Sequence, residues 1–152
     1  MVFIGSSVLL GTGASVYANS WAGRLTTALQ AETDITFVGF ENRGITANAP
    51  SQVRERIINE VCSLNPDIVV VGLCTNNSGL HSQSTEIAAS NVVAAYLEGI
   101  LQICSILDER GIAYILTGEY GISSATAFGA RAKKAVNFKL SNLFKNRYMA
   151  CL

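Results

Sequence analysis

The 152-residue sequence has one histidine, two prolines and four cysteines, and only 14% of its residues are charged. Each shortage excludes something. Cys62, Cys74, Cys104 and Cys151 are scattered, with no CxxC spacing and no second histidine, so no ligand cluster for zinc forms and neither a metal nor a cofactor is expected. The same scatter reads as small buried thiols in a reducing compartment rather than a disulfide framework. No basic leader with a long apolar core precedes Val2, so the expected location is cytoplasmic. Eleven basic and eleven acidic residues cancel. A neutral chain has no long-range field to draw phosphate backbones or anionic lipid, so nucleic acid and membrane surfaces are not expected partners. Apolar runs such as Ile68–Val71 stop well short of the roughly 20 residues needed to cross a bilayer.

What is present is apolar. Hydrophobic residues make up 49% of the chain, a share that suits an α/β domain whose central strands are covered on both faces. The length fits one domain over 1–152. Val2–Gly5 reads as a first strand. Trp21, Leu25 and Leu29 recur at helical spacing, with Asn19 or Ser20 as the cap. Ile35–Phe40, rich in β-branched and aromatic residues, reads as the second strand. Pro50 and Ser51 open a second helix whose apolar stripe is Val53, Ile57, Val61 and Leu64.

Asn65–Pro66–Asp67 is a turn into Ile68–Leu73, whose unbroken apolar run marks a central parallel strand. Val93, Leu97, Ile100, Cys104 and Leu107 line a long third helix ending near Arg110–Gly111. Ala113–Thr117 is the fourth strand. A fourth helix is expected from about Ala130 to Tyr148, with Ala132, Val136, Leu140 and Phe144 on one side. The order β-α-β-α-β-α-β-α predicts a three-layer, doubly wound, mostly parallel sheet of four strands, with the fifth strand of such a domain missing.

Ligands of an open parallel sheet bind beyond the carboxyl ends of its strands. Three loops leaving such ends are rich in Gly, Ser or Asn. They are Gly5–Ser6–Ser7–Val8–Leu9–Leu10–Gly11–Thr12–Gly13, then Glu41–Asn42–Arg43–Gly44–Ile45–Thr46–Ala47–Asn48, then Cys74–Thr75–Asn76–Asn77–Ser78–Gly79. A phosphate cradle is one reading of the first, as in a Rossmann-like or flavodoxin-like binding module. However, Gly11–Thr12–Gly13 lacks the third glycine at the dinucleotide spacing, and no lysine stands where a P-loop requires it.

Taken together, the three loops resemble the SGNH, or GDSL-type, hydrolases. In that family the first block is Gly-Asp-Ser plus an apolar residue, with another glycine four positions past the serine. Gly5–Ser6–Ser7–Val8 and Gly11 match it, with Ser6 in place of the aspartate. Asn42–Arg43–Gly44–Ile45 matches the second block. Pro66–Asp67–Ile68–Val69–Val70–Val71 leading to Thr75–Asn76 matches the third, with Cys74 and Asn77 departing from its usual glycine and aspartate. The resemblance implies Ser7 as nucleophile, and an oxyanion hole formed by the N–H of Ser7, the N–H of Gly44 and the side-chain amide of Asn76. It implies hydrolysis of small acyl or acetyl esters, including those on carbohydrate.

The family's base, a histidine in a C-terminal Asp-x-x-His block, has no counterpart here. His81 could replace it, but no acidic partner stands near it in sequence, so an exposed loop histidine without a role is the expectation. Cys74 has no assigned base either and occupies a glycine position. The chain is therefore expected to be C-terminally incomplete, or a pseudoenzyme that binds without turnover. A missing fifth strand would leave a sheet edge open to self-association. The loops Leu80–Ala89 and Gly121–Phe128 are the expected pocket walls.

Overall fold

A computed structural model describes residues 1–34, 36–37, 39–119, 126–145 and 148–149, the last two by backbone alone. β1 (Val2–Gly5), β2 (Glu41–Gly44), β3 (Ile68–Gly72), β4 (Ala113–Thr117) and β5 (Tyr148–Met149) form one parallel sheet in the order β2-β1-β3-β4-β5. Four helices connect them: α1 (Trp21–Ala31), α2 (Pro50–Glu60), α3 (Glu86–Glu109) and α4 (Ala127–Leu143).

The period-2 alternation of a strand splits the core into two layers. Val2 and Ile4 of β1, with Val69 and Val71 of β3, face one cluster that also holds Val53 and Ile57 of α2, Ile100, Ile103 and Leu107 of α3, and Val136 and Leu140 of α4. Phe3 and Val70 point the other way, against Ala22, Trp21 and Leu25 of α1. Phe3 meets Trp21 and Phe40 edge-on, with ring centres 6.0 and 5.8 Å apart. The three-layer architecture therefore has α1 on one face and α2, α3 and α4 on the other.

Local chemistry sets the helix starts. Ser20 Oγ accepts from Gly23 N–H at 3.1 Å, Thr85 Oγ1 from Ala88 N–H at 3.2 Å, and Thr126 Oγ1 from Gly129 N–H at 3.1 Å. The Thr126 cap moves the start of α4 ahead of the expected Ala130, and the helix ends before Tyr148. α3 combines length with few charges, so by composition alone it could pass for a membrane span, contrary to the expectation that none of the chain would. Here it lays Val93, Tyr96, Ile100, Ile103 and Leu107 on the sheet.

Three expectations are corrected. The second strand is Glu41–Gly44, not Ile35–Phe40; Ile35 and Val38 lie outside the described residues. β1 is four residues long and pairs Val2↔Glu41 through Gly5↔Gly44, so the ladder falls past the apolar run and onto a polar segment. An edge strand tolerates this, since its outer side faces water. α2 stops at Glu60, and a 3-10 turn over Cys62–Leu64 carries Leu64 out of the stripe to 43% exposure. The fifth strand is also present. Tyr148–Met149 pairs with Leu116 and Thr117, covering the carboxyl end of the β4 edge.

Candidate active site

Register brings three glycines together. Gly5 is opposite Gly44 on one side and Gly72 on the other, so the carboxyl ends of β2, β1 and β3 form a smooth step. Leu9, fully buried, sits on that step. A methyl group added at Gly72 would lie 2.7 Å from Leu9 Cγ, one at Gly5 2.8 Å from Leu9 Cδ1, and one at Gly44 3.1 Å from Leu9 Cβ. A methyl at Gly5 would also overlap the Gly72 carbonyl. The missing side chains let the turn after β1 fold down onto the sheet.

That turn carries Ser7. Leu9 N–H donates to Ser6 O at 3.1 Å, Leu10 N–H to Ser7 O at 3.0 Å and Gly11 N–H to Val8 O at 3.1 Å, which makes a helical turn opening at Ser7. The first N–H groups of a helical turn have no partner within it. Accordingly, neither the N–H nor the hydroxyl of Ser7 makes a hydrogen bond among the described residues, and the residue is half-buried. Ser6, in the position of the family aspartate, is completely buried, with its N–H donating to Gly72 O at 3.0 Å.

Asn42 fastens the turn to β2. Its Nδ2 donates to Leu9 O at 2.7 Å and to the Tyr17 hydroxyl at 3.2 Å. Its Oδ1 accepts the N–H of Gly44 at 3.0 Å. The Gly44 N–H, expected to face an oxyanion, is thus engaged in this structure. Three residues on, Ala47 is exposed with φ +64°, a left-handed backbone that a non-glycine residue adopts at a cost. Its N–H has no partner among the described residues.

Arg56, missed in the sequence because it lies in a charged stretch of α2, supports the same corner from below. Its Nη2 donates to Arg43 O at 2.7 Å and to Gly5 O at 3.4 Å, its Nε to Asn48 Oδ1 at 3.0 Å, and its Nη1 to Glu60 Oε2 at 2.7 Å. One guanidinium thereby ties the ends of β1 and β2 to the loop that follows β2.

The third loop joins the second through Asn77, whose Nδ2 donates to Asn48 O at 2.9 Å. Asn76 is half-buried, its Oδ1 enclosed without a partner and its amide nitrogen making no hydrogen bond among the described residues. Preceding it, Thr75 is fully buried and held by Glu119, a residue no sequence motif marked. Burial pushes the Glu119 carboxyl above the usual carboxylate range, while the Thr75 donors, Lys133 and Tyr96 pull against that rise.

His81 departs from expectation. It is half-buried rather than exposed, and its Nδ1 is enclosed without a partner. The peptide is pinned to the start of α4, where Thr126 N–H donates to His81 O at 2.9 Å. No carboxylate orients the ring among the described residues. Cys62, Cys74 and Cys104 are buried, while Cys151 lies outside the described residues. Among the described residues no three His, Cys, Asp or Glu side chains come together to hold a metal. Of the expected pocket walls, Leu80–Ala89 is described, but 120–125 lies outside the described residues.

The profile of the GDSL-like lipase/acylhydrolase family matches residues 3–143. A search of curated protein sequences gave no match. Among solved structures, TesA is 15% identical with a TM-score of 0.74, over 97% of this chain and 75% of that one. The psychrotrophic esterase EstA from Pseudoalteromonas sp., inhibited by monoethylphosphonate, is 14% identical with a TM-score of 0.71, over 99% of this chain and 76% of that one. The acetyl xylan esterase AlAXEase is 17% identical with a TM-score of 0.66, over 99% of this chain and 77% of that one. At these identities the likeness is one of fold, and the chain spans about three quarters of each neighbour.

Proposed function

The chain belongs to the GDSL-like lipase/acylhydrolase family, and from that premise we propose that it is a serine ester hydrolase acting on small acyl esters, with acetylated carbohydrate as the substrate class. The observation that carries this reading is Ser7. It opens a helical turn at the carboxyl edge of the sheet, with hydroxyl and N–H both unengaged among the described residues. An attacking oxygen and a donor for the resulting oxyanion then belong to one residue.

In this mechanism Ser7 Oγ attacks the ester carbonyl carbon, and the charge that develops on the carbonyl oxygen is met by donors held in advance. Ser7 N–H and the Asn76 amide supply two. The second loop supplies a third, either Gly44, whose N–H would exchange Asn42 Oδ1 for the substrate, or Ala47, whose N–H is already unengaged. The tetrahedral intermediate then expels the alcohol, leaving an acyl-Ser7 ester for water to hydrolyse.

A serine hydroxyl needs a base to react quickly at neutral pH. His81, the sequence's single histidine, has no orienting carboxylate among the described residues. Turnover by this chain is therefore slow: Ser7 attacks as a neutral hydroxyl whose proton passes through water to the departing alcohol. The rate stands above the roughly 10³–10⁴ over water that the oxyanion hole and binding would sustain even without Ser7.

The test is p-nitrophenyl acetate hydrolysis by the chain and by Ser7→Ala. Release of p-nitrophenol that disappears in the variant supports the reading. Equal rates for the two proteins remove Ser7 as the nucleophile.

A further inference from the structure

The mechanism above leaves unused the most deeply buried carboxylate of the described residues. Glu119 is 6% exposed and follows β4. Its two oxygens accept the Thr75 N–H at 2.9 and 3.0 Å, and Oε2 also accepts the Thr75 hydroxyl at 2.6 Å. The backbone of Glu119 is anchored in turn: its N–H donates to Asn137 Oδ1 of α4 at 2.9 Å. Tyr96 of α3, whose hydroxyl donates to Leu73 O at 3.1 Å, and Lys133 of α4, 8% exposed, are the other groups facing it.

The fork satisfies two buried Thr75 donors that would otherwise be stranded. It also fixes position. Asn76 adjoins Thr75, and its side chain makes no hydrogen bond among the described residues that would hold its direction. An amide in that state points one way only if the backbone beneath it is fixed. The carboxylate fork restrains both φ and χ1 of Thr75. The loop's own bonds, Ser78 N–H to Thr75 O at 3.1 Å and Gly79 N–H to Asn76 O at 3.0 Å, carry the restraint across Asn76.

We propose that Glu119 is a positioning residue of the oxyanion hole: by gripping both donors of Thr75 from beneath, it sets the direction of the Asn76 amide. The proposal rests on the reading of Asn76 as an oxyanion donor, and the test separates the two.

The variants are Glu119→Gln, Glu119→Asp and Thr75→Val. Glutamine breaks the fork: its oxygen can stand at the Oε2 place and still accept, but its NH2 then meets the Thr75 N–H where Oε1 accepted it, donor against donor. Thr75→Val removes the hydroxyl donor and keeps the backbone one, and so tests the link even if Glu119→Gln does not fold. The Asn76 side-chain amide resonances in an NMR spectrum are expected to shift or broaden in Glu119→Gln and in Thr75→Val. With p-nitrophenyl acetate, kcat falls by about tenfold to a hundredfold in Glu119→Gln while KM holds, because the loss is one of alignment. Glu119→Asp, keeping the charge, recovers part of kcat.

Asn76 resonances unmoved in the folded variants, or a fall in rate that matches the loss of folded protein, would overturn the proposal. A wild-type rate equal to that of Ser7→Ala overturns the hydrolase reading instead, and the Asn76 resonances then decide the role of Glu119 by themselves.

Discussion

The two halves of the site are held in place by opposite charges. On the β1–β2 side the support is a cation: Arg56 donates to the carbonyls of Gly5 and Arg43. On the β3–β4 side it is an anion: Glu119 accepts from the N–H and hydroxyl of Thr75. The difference follows from what each strand end offers. Where β1 and β2 end, the Gly5 and Arg43 carbonyls offer acceptors, and a long side chain from α2 reaches both. At β3, between two other strands, the loop turns inward and leaves an N–H in a dry place. A guanidinium can serve at a partly wet rim, whereas only a buried acceptor can serve the interior.

The contrast yields predictions, the largest first. Asn76→Ala leaves the fold intact and lowers kcat for p-nitrophenyl acetate by roughly 10²–10³, the cost of one oxyanion donor. An unchanged rate would leave the β3–β4 half with no catalytic part. Gly5→Ala puts a methyl group against the Gly72 carbonyl and Leu9, where backbone cannot yield. A loss of about 3 kcal/mol is expected by denaturant melting, and a smaller loss would mean that the step of three glycines is looser than described.

Arg56→Met removes charge-assisted bonds to strand-end carbonyls from a side chain only 12% exposed. It costs roughly 2 kcal/mol in the same assay. Glu60→Gln, touching only the exposed partner of Arg56, costs under about 0.5 kcal/mol. If the two variants cost the same, Arg56 serves its salt bridge and not the strand ends.

The smallest effect is a pH slope. The folded-state value of Glu119 lies above its unfolded value, so its contribution to stability is full below the ordinary carboxylate range. That contribution is lost as pH rises through the folded-state value. Wild type should therefore lose some stability over that window relative to Glu119→Gln, whose side chain does not titrate. Parallel pH curves for the two proteins would contradict the assigned direction.

Much of this was legible in the sequence because it is local. The blocks around Ser7 and Asn76 are contiguous and follow strands whose apolar runs are unmistakable. β2 was misplaced because an edge strand need not be apolar: its ladder is fixed by pairing with β1, and Glu41–Gly44 carries no strand signal of its own. Tyr148–Met149 is too short for any periodicity. Glu119 was illegible for a different reason. Its partner lies 44 positions away, and nothing in Thr117–Gly118–Glu119 announces a contact that only the packing of β4 beside β3 creates. Arg56 looked like surface among the charges of α2 because a sequence shows a charge but not where its long stem leads.

The central claim is that Ser7 is the nucleophile, and the most direct measurement is covalent capture. The chain is incubated to completion with a p-nitrophenyl phosphonate ester, whose tetrahedral adduct mimics the acylation transition state, and then digested for peptide mass mapping. The account predicts one adduct per chain, on Ser7, formed slowly, formed more slowly in Asn76→Ala and absent in Ser7→Ala. No adduct after long incubation, or an adduct on another side chain, would contradict it.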